Sequence, residues 1–215
     1  MADRRVVRTK ELLRAALLDL CYARQLCDVS VKDLLERAQV SRAAFYRHYC
    51  DLDDLAQDTW LSRLPYFQPP YPRLADYASP AQACHVLLDA LADELRFFKD
   101  NVNFARGITE SIGCSPYYRN SEESHTEPLM AQMKTEYGPD ASFMGLDGCD
   151  AAAFIIAGQF ALIRRWLASG MSKGIEEMSK MLAYIDLQCT AAVAGRAIEP
   201  YFLEVIKEWH LEAGE

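Results

Sequence analysis

Residues 41–48, SRAAFYRH, gather two guanidiniums, a phenol and an imidazole within about two helical turns. At 100° per residue, Phe45 and Tyr49 fall on one side, whereas Arg42, Ala43, Tyr46 and Arg47 share the opposite side. Such a face suits a polyanion. Its guanidiniums can fork onto phosphate oxygens or a guanine edge, its phenol suits a phosphate, and its alanine permits close approach. His48 lies on the flank, where an imidazole N–H can reach a nucleic-acid backbone. The RxxxxR spacing alone also describes an ordinary solvated helix face, so the neighbouring elements must decide.

Those elements are legible across residues 30–55. Val31, Leu34, Leu35 and Ala38 recur at i, i+3, i+4 and i+7, which predicts a helix with one buried stripe. Ser30 is placed to cap it, and Asp33 gives a weaker form of the capping box while complementing the positive helix end. Ser41 caps the next helix. Between them a short turn through Gln39 and Val40 is what two helices at a steep angle need, with Val40 plugging the gap. A capped helix, a tight turn and a cationic aromatic second helix together predict insertion into a DNA groove.

Residues 9–64 resemble the N-terminal domain of TetR-type transcriptional regulators. The resemblance is carried by Thr9 and the LLRAALLDL run, Ser30-Val31, Ala38 with Val40-Ser41, the Phe45-Tyr46-x-His48-Tyr49 signature, and Leu55. It implies that Thr9, Ser30, Ser41, Arg42, Ala43, Tyr46, Arg47 and His48 contact DNA. The sequence departs from the family pattern at four places: Gln25 and Gln39 replace glycines, Ala44 a threonine, and Leu52 a phosphate-gripping lysine. Each glutamine must enter a conformation that costs about 1 kcal/mol or avoid it by a different turn. Asp51, Asp53 and Asp54 around Leu52 would repel a phosphate unless they point away.

Charge partition agrees with a basic head on an acidic body. Up to His48 there are 10 Lys and Arg against 6 Asp and Glu, and beyond it 13 against 25, for a net charge of −8. The 215 residues, 51% hydrophobic and 25% charged, suffice for one or two small domains with a substantial core. No run approaches ~18 uninterrupted apolar residues, and the opening MADRRVVRTKELL has no apolar leader core, so a cytoplasmic protein without membrane contact is expected. Seven cysteines form no CxxC pair and no Cys/His metal spacing, which predicts reduced thiols and neither metal nor cofactor. Few cations adjoin Cys84 or Cys114 to activate either as a redox sensor.

The fold class expected is all-α. A helix-turn-helix domain occupies 1–64, the Pro-rich run 65–73 links it, and a helical effector-binding and dimerisation domain fills 74–215. Ser79-Pro80 opens a helix running to about Lys99, and the stretch 107–124 breaks a further short one. Residues 151–167 are apolar almost all round and need cover on more than one face, after which Ser169-Gly170 ends the helix. A helix over 175–194 follows, and Pro200 opens another within 199–215. Trp166 with Gly170 a turn later also resembles the C-terminal part of a TetR-type subgroup.

Pairing of these two long helices with their two-fold mates in a four-helix bundle predicts a homodimer. Ile156, Phe160, Ile163, Leu167, Met178, Met181, Leu182 and Ile185 are its expected interface. The aromatics Phe97, Phe98, Phe104, Tyr117, Tyr118, Phe154, Phe160 and Trp166 are candidates to line an effector pocket. Glu94, Arg106, Gln159 and Arg164 would supply polarity. Such aromatics equally serve as plain core. His85, His125 and His210 have no partner at metal spacing.

With no GxSxG, HExxH, Walker A or GxGxxG, a catalytic reading is unsupported. The expected function is a ligand-responsive regulator, a repressor, that binds palindromic operator DNA as a homodimer. The alternative is a TetR-like adaptor or coactivator acting through a partner protein, favoured by Leu52 and its acidic neighbours.

Overall fold

The computed structural model describes residues 4–63, 78–110, 131, 134, 142, 143 and 146–193. Among them are eight α-helices: α1 (Arg4–Ala23), α2 (Val31–Ala38), α3 (Arg42–Tyr46), α4 (Leu52–Leu61), α5 (Pro80–Asp100), α6 (Val102–Glu110), α7 (Gly148–Ala168) and α8 (Ile175–Val193). Two strands of two residues each, Ser142–Phe143 and Leu146–Asp147, pair antiparallel with Phe143 opposite Leu146. That minimal ladder aside, the described chain is all-helical as expected. The helix expected within 199–215 and the linker 65–73 lie outside the described residues.

Two compact units form. The first joins Met1–Leu64 with Phe98–Ser121, and the second joins Pro65–Phe97 with Glu122–Glu215. In the first unit α6 joins the N-terminal helices, packing against α1.

In the first unit α1 lies against α2, α4 and α6. Leu13, Leu17, Leu34, Phe45, Leu55, Trp60, Phe98 and Phe104 are each no more than 1% exposed. Each large side chain so buried contributes roughly 1.5–3 kcal/mol. Trp60 and Phe98 stack with ring centroids 5.0 Å apart, so the last turn of α5 is fixed within this unit.

The caps explain the short helices. Ser30 Oγ accepts from Asp33 N at 3.2 Å while the Asp33 carboxylate accepts from Ser30 N at 3.4 Å, a complete capping box. Ser41 Oγ accepts from Ala44 N, and Asp51 caps α4 by accepting from Asp54 N. The Asp54 carboxylate in turn accepts from Cys50 N at 2.9 Å. Two of the three acids around Leu52 are therefore spent on backbone N–H groups. At the start of α5, Ser79 Oγ and Gln82 Oε1 make the corresponding reciprocal pair with Gln82 N and Ala78 N.

The two glutamines that stand for family glycines solve the problem differently. Gln25 stays extended and precedes a single 3-10 turn, Leu26–Asp28, so strain is avoided. Gln39 is driven into the left-handed region at φ 53°, ψ 40°, where a Cβ is disfavoured. Gln39→Gly is expected to stabilise the first unit by about 0.5–1 kcal/mol, the relief of αL strain exceeding the added unfolded-chain entropy. A urea melt checks this, and a lower midpoint would contradict it.

Gly107 does not break a helix as its type suggested, but lies inside α6. A Cβ there would meet Leu26 Cβ at 2.6 Å, so glycine is what allows α6 to approach the turn after α1. Asn103 completes the seam, donating from Nδ2 to Cys21 O and accepting from Gln25 Nε2, both at 3.0 Å.

In the second unit, Ala83, Leu87, Leu91 and Leu95 of α5 form one buried stripe. Ile155, Ile156, Phe160, Ile163 and Leu167 of α7 are buried, as are Met178, Leu182 and Ala183 of α8. After α7 the chain turns through Gly170 at φ 71° and Met171 at φ 60°, with Met171 N donating to Trp166 O. Among the described residues no helix is long and apolar enough to cross a membrane.

Candidate nucleic-acid interface

The helix-turn-helix presents the face that the wheel predicted. Phe45 and Tyr49 are buried at 0% and 3% exposure, while Arg42, Ala43, Tyr46 and Arg47 are exposed and His48 is half-buried. The helix itself, α3, has only five residues. Phe45 O then accepts from both His48 N and Tyr49 N, which carries Arg47 and His48 onward as a further turn.

Aromatic contacts order the face. Tyr46 packs edge-on against Phe45 with centroids 5.1 Å apart, and the Arg42 guanidinium sits 5.7 Å from the Tyr46 ring centroid. The phenol and the guanidinium are thereby held side by side on the outward surface. His48 stands edge-on to Tyr49 at 6.5 Å.

Ion pairing sorts the cations of the first unit. Lys10 and Arg14 bind Asp58, Arg24 binds Asp33 at 2.9 Å, and Arg37 binds Asp19. The Asp33 carboxyl is held below the usual range first by the Ser30 hydroxyl, next by the Ser30 backbone N–H, and also by Arg24. No carboxylate is paired with Arg42 or Arg47 among the described residues. Their charge is therefore available to phosphate.

The other expected contact residues divide. Thr9 Oγ1 donates to Arg5 O at 2.9 Å, one turn back on α1, and Ser30 is committed to its capping box. Ser41 is exposed at the start of α3 with its hydroxyl on Ala44 N. Arg4 and Arg8, four residues apart at the exposed start of α1, were not among the expected contacts.

The expected effector aromatics fall in both units. Phe98 and Phe104 belong to the core of the first unit, Phe97 is half-buried, and Trp166 donates its indole N–H to Lys173 O at 2.9 Å. Phe154 is 70% exposed. Phe160 is core, and Tyr117 and Tyr118 lie outside the described residues. The polar candidates fare differently. Gln159 Nε2 donates to Asp186 Oδ2, and the Glu94 carboxyl is within electrostatic range of Asp186, so α5, α7 and α8 each supply one group. Arg106 and Arg164 are half-buried. Asp186, 2% exposed, was missed because an acid ordinarily marks the solvent face of a helix.

Burial pushes the Glu94 carboxyl up to about 7. It raises Asp186 well above the carboxylate range too, opposed by the Gln159 hydrogen bond and reinforced by Glu94. The folded unit thus holds protons that the unfolded chain releases above about pH 4.5. Stability contributed by the protonated Glu94 is full below that pH and declines as pH rises through about 7. Solvent still reaches part of Glu94, which keeps the slope below the ~1.4 kcal/mol per pH unit of one whole proton. Melting of the second unit is expected at lower temperature at about pH 8 than at about pH 5, with the slope flattened in Glu94→Gln. An unchanged slope in that variant would contradict the assignment.

Burial also raises the Cys21 and Cys84 thiols to about 11, the reverse of what a redox sensor needs. Cys114 lies outside the described residues. Among those described, no cluster of three His, Cys, Asp or Glu can hold a metal.

No family model matches the chain. A stretch of 56 residues is 39% identical to an uncharacterized HTH-type transcriptional regulator, YxbF of Bacillus subtilis strain 168, covering 26% of this chain and 15% of that protein. TylP, a TetR regulator from Streptomyces fradiae, superposes with a TM-score of 0.58 at 16% identity over 98% of this chain and 93% of its own. The chain has the TetR-type fold. NalD, the secondary repressor of the MexAB-OprM multidrug efflux pump in Pseudomonas aeruginosa, shares this TetR-type fold with a TM-score of 0.55 and 16% identity, over 85% of this chain and 97% of that one. The TetR-type fold thus extends well beyond the helix-turn-helix, into the helices of the second unit.

Proposed function

We propose that the protein is a ligand-responsive transcriptional regulator that binds palindromic operator DNA as a homodimer. The observation that carries this reading is the outward face of Arg42, Ala43, Tyr46 and Arg47, whose guanidiniums have no carboxylate on them among the described residues. It enters a major groove with Arg42 and Arg47 on base edges or phosphates and Tyr46 on a phosphate. Repression is the favoured sign, and NalD, of like fold, is a repressor. The adaptor reading loses part of its support, because Asp51 and Asp54 serve as caps.

The homodimer is proposed through a different face of α7 from the one expected. Ile156, Phe160, Ile163 and Leu167, with Met178 and Leu182 of α8, are at most 4% exposed within the protomer. Side chains consumed by the protomer core cannot also meet a partner. The opposite side of α7 carries Phe154, Gly158, Ala161 and Arg165, and a Cβ at Gly158 would meet nothing within 4 Å. Small residues beside an exposed phenylalanine suit close packing of a two-fold mate, with the half-buried Met181 and Ile185 of α8 retained in the interface.

An effector binds in the second unit, where Glu94, Gln159 and Asp186 are the candidate polar contacts. It weakens operator binding only by preferring a dimer whose heads are not spaced about 34–36 Å apart, and the coupling is reciprocal. Mass spectrometry of the purified protein tests for a retained small molecule. Titrating that molecule into a protein–operator complex is expected to release DNA, and unaltered operator affinity would exclude it as inducer.

A further inference from the structure

The acid that organises the first unit is Asp58 on α4, and it bears on the DNA-binding reading on which this inference rests. Three side chains converge on it through four donor atoms. Arg14 of α1 donates from Nε at 2.8 Å and reaches Asp58 Oδ2 from Nη2 at 2.7 Å, Lys10 Nζ lies 3.5 Å from Oδ1, and the Tyr49 phenol donates to Oδ2. Lys10 also lies 5.2 Å from the Tyr49 ring centroid, closing the cluster on itself.

Three parts of the head meet at this one carboxylate: α1, the segment that follows the recognition helix, and α4. Tyr49 is 3% exposed and packs on Phe45 with centroids 5.8 Å apart, so the phenol is joined to the buried side of α3. Burial by itself would raise the Asp58 carboxyl. The Tyr49 phenol, the Arg14 guanidinium and the Lys10 ammonium instead hold it below the usual range, so it stays ionised where it is needed. A hydrogen bond to an ionised acceptor is both stronger and more directional than a neutral one.

We propose that Asp58 is a positioning residue that sets operator specificity without touching DNA. It does two things at once. It holds Tyr49, and with it the recognition helix, in fixed register against α1 and α4. It also keeps Lys10 and Arg14 occupied, so that these cations do not reach for phosphates irrespective of sequence.

The two roles separate experimentally. Asp58→Asn keeps the size and a carbonyl acceptor but leaves Lys10 and Arg14 without a counter-charge, whereas Tyr49→Phe removes only the hydroxyl and leaves the charge alone. The probes are a duplex recovered with the wild-type protein from a random library and a random-sequence duplex mixture of the same length. Asp58→Asn is expected to bind the selected duplex about tenfold more weakly and the random mixture severalfold more tightly, with a steeper salt dependence. Tyr49→Phe is expected to lose about threefold to tenfold on the selected duplex with the random mixture unchanged. Circular dichroism melts check that both variants fold.

Equal loss on both probes by Asp58→Asn would make Asp58 merely structural and overturn the proposal. If that variant does not fold, Tyr49→Phe decides: unchanged preference for the selected duplex overturns the proposal, and selective loss supports it. A wild-type protein that binds neither probe at low salt fails the DNA-binding reading itself, a distinct result.

Discussion

Replacing Arg42 and Arg47 together with alanine is expected to lower operator affinity at least about a hundredfold. Each guanidinium that forks onto a base edge or phosphate contributes roughly 1–3 kcal/mol, and a two-fold dimer is deprived of it in both half-sites. Of the other cations of the helix-turn-helix region, Arg24 and Arg37 are committed to Asp33 and Asp19. The salt dependence should become shallower in proportion to the number of phosphates left without a cationic partner. Arg42→Ala alone is expected to relax base preference, since Tyr46 loses the guanidinium beside its ring. Tyr46→Phe, in contrast, should weaken binding uniformly across sequences. Fluorescence anisotropy with labelled duplexes measures all three, and wild-type affinity in the double variant would remove the recognition face from the account.

The second large effect comes from two aspartate substitutions two residues apart on α7. Ile156 is 1% exposed inside the second unit, so Ile156→Asp buries a charge with no provision for it and is expected to cost several kcal/mol and unfold that unit. Phe154 is 70% exposed, so Phe154→Asp should leave the protomer folded but split the dimer. Light scattering and circular dichroism together read the pair: a folded monomer for one variant, lost helicity for the other. A wild type that stays monomeric at micromolar concentration would contradict the dimer.

The contrast between these two residues shows where the sequence is legible and where it is not. In the helix-turn-helix, polar and apolar residues alternate at a clear helical period and each helix is capped by an oxygen-bearing side chain. The inward Phe45 and Tyr49 and the outward Arg42, Tyr46 and Arg47 can therefore be sorted from the wheel alone. In α7 nearly every position is apolar, so the period carries no direction, and residue type alone does not say which side the protomer buries. The surface stripe is then marked by two small residues, Gly158 and Ala161, with Phe154 and Arg165 at its exposed positions.

Local exceptions to residue type are the other obstacle. Gly107 reads as a helix breaker, yet its missing side chain is what lets α6 pack on Leu26. Asp186 reads as a solvent-facing acid, yet it is buried with Gln159 and Glu94, of which only the latter two stand out as pocket candidates in the sequence. The acids around Leu52 read as groups that would repel a phosphate, whereas two of them accept from backbone N–H groups at the start of α4. In each case the deciding fact is the specific partner that the fold supplies, which periodicity and residue type do not encode.

Selection of bound duplexes from a random library, at about 0.1 M salt and again at higher salt, tests the central claim most directly. The account predicts enrichment of an imperfect palindrome whose half-sites are centred about one helical turn, or a multiple of it, apart, with binding that falls steeply as salt rises. No enrichment at any salt, or binding indifferent to salt, would contradict it.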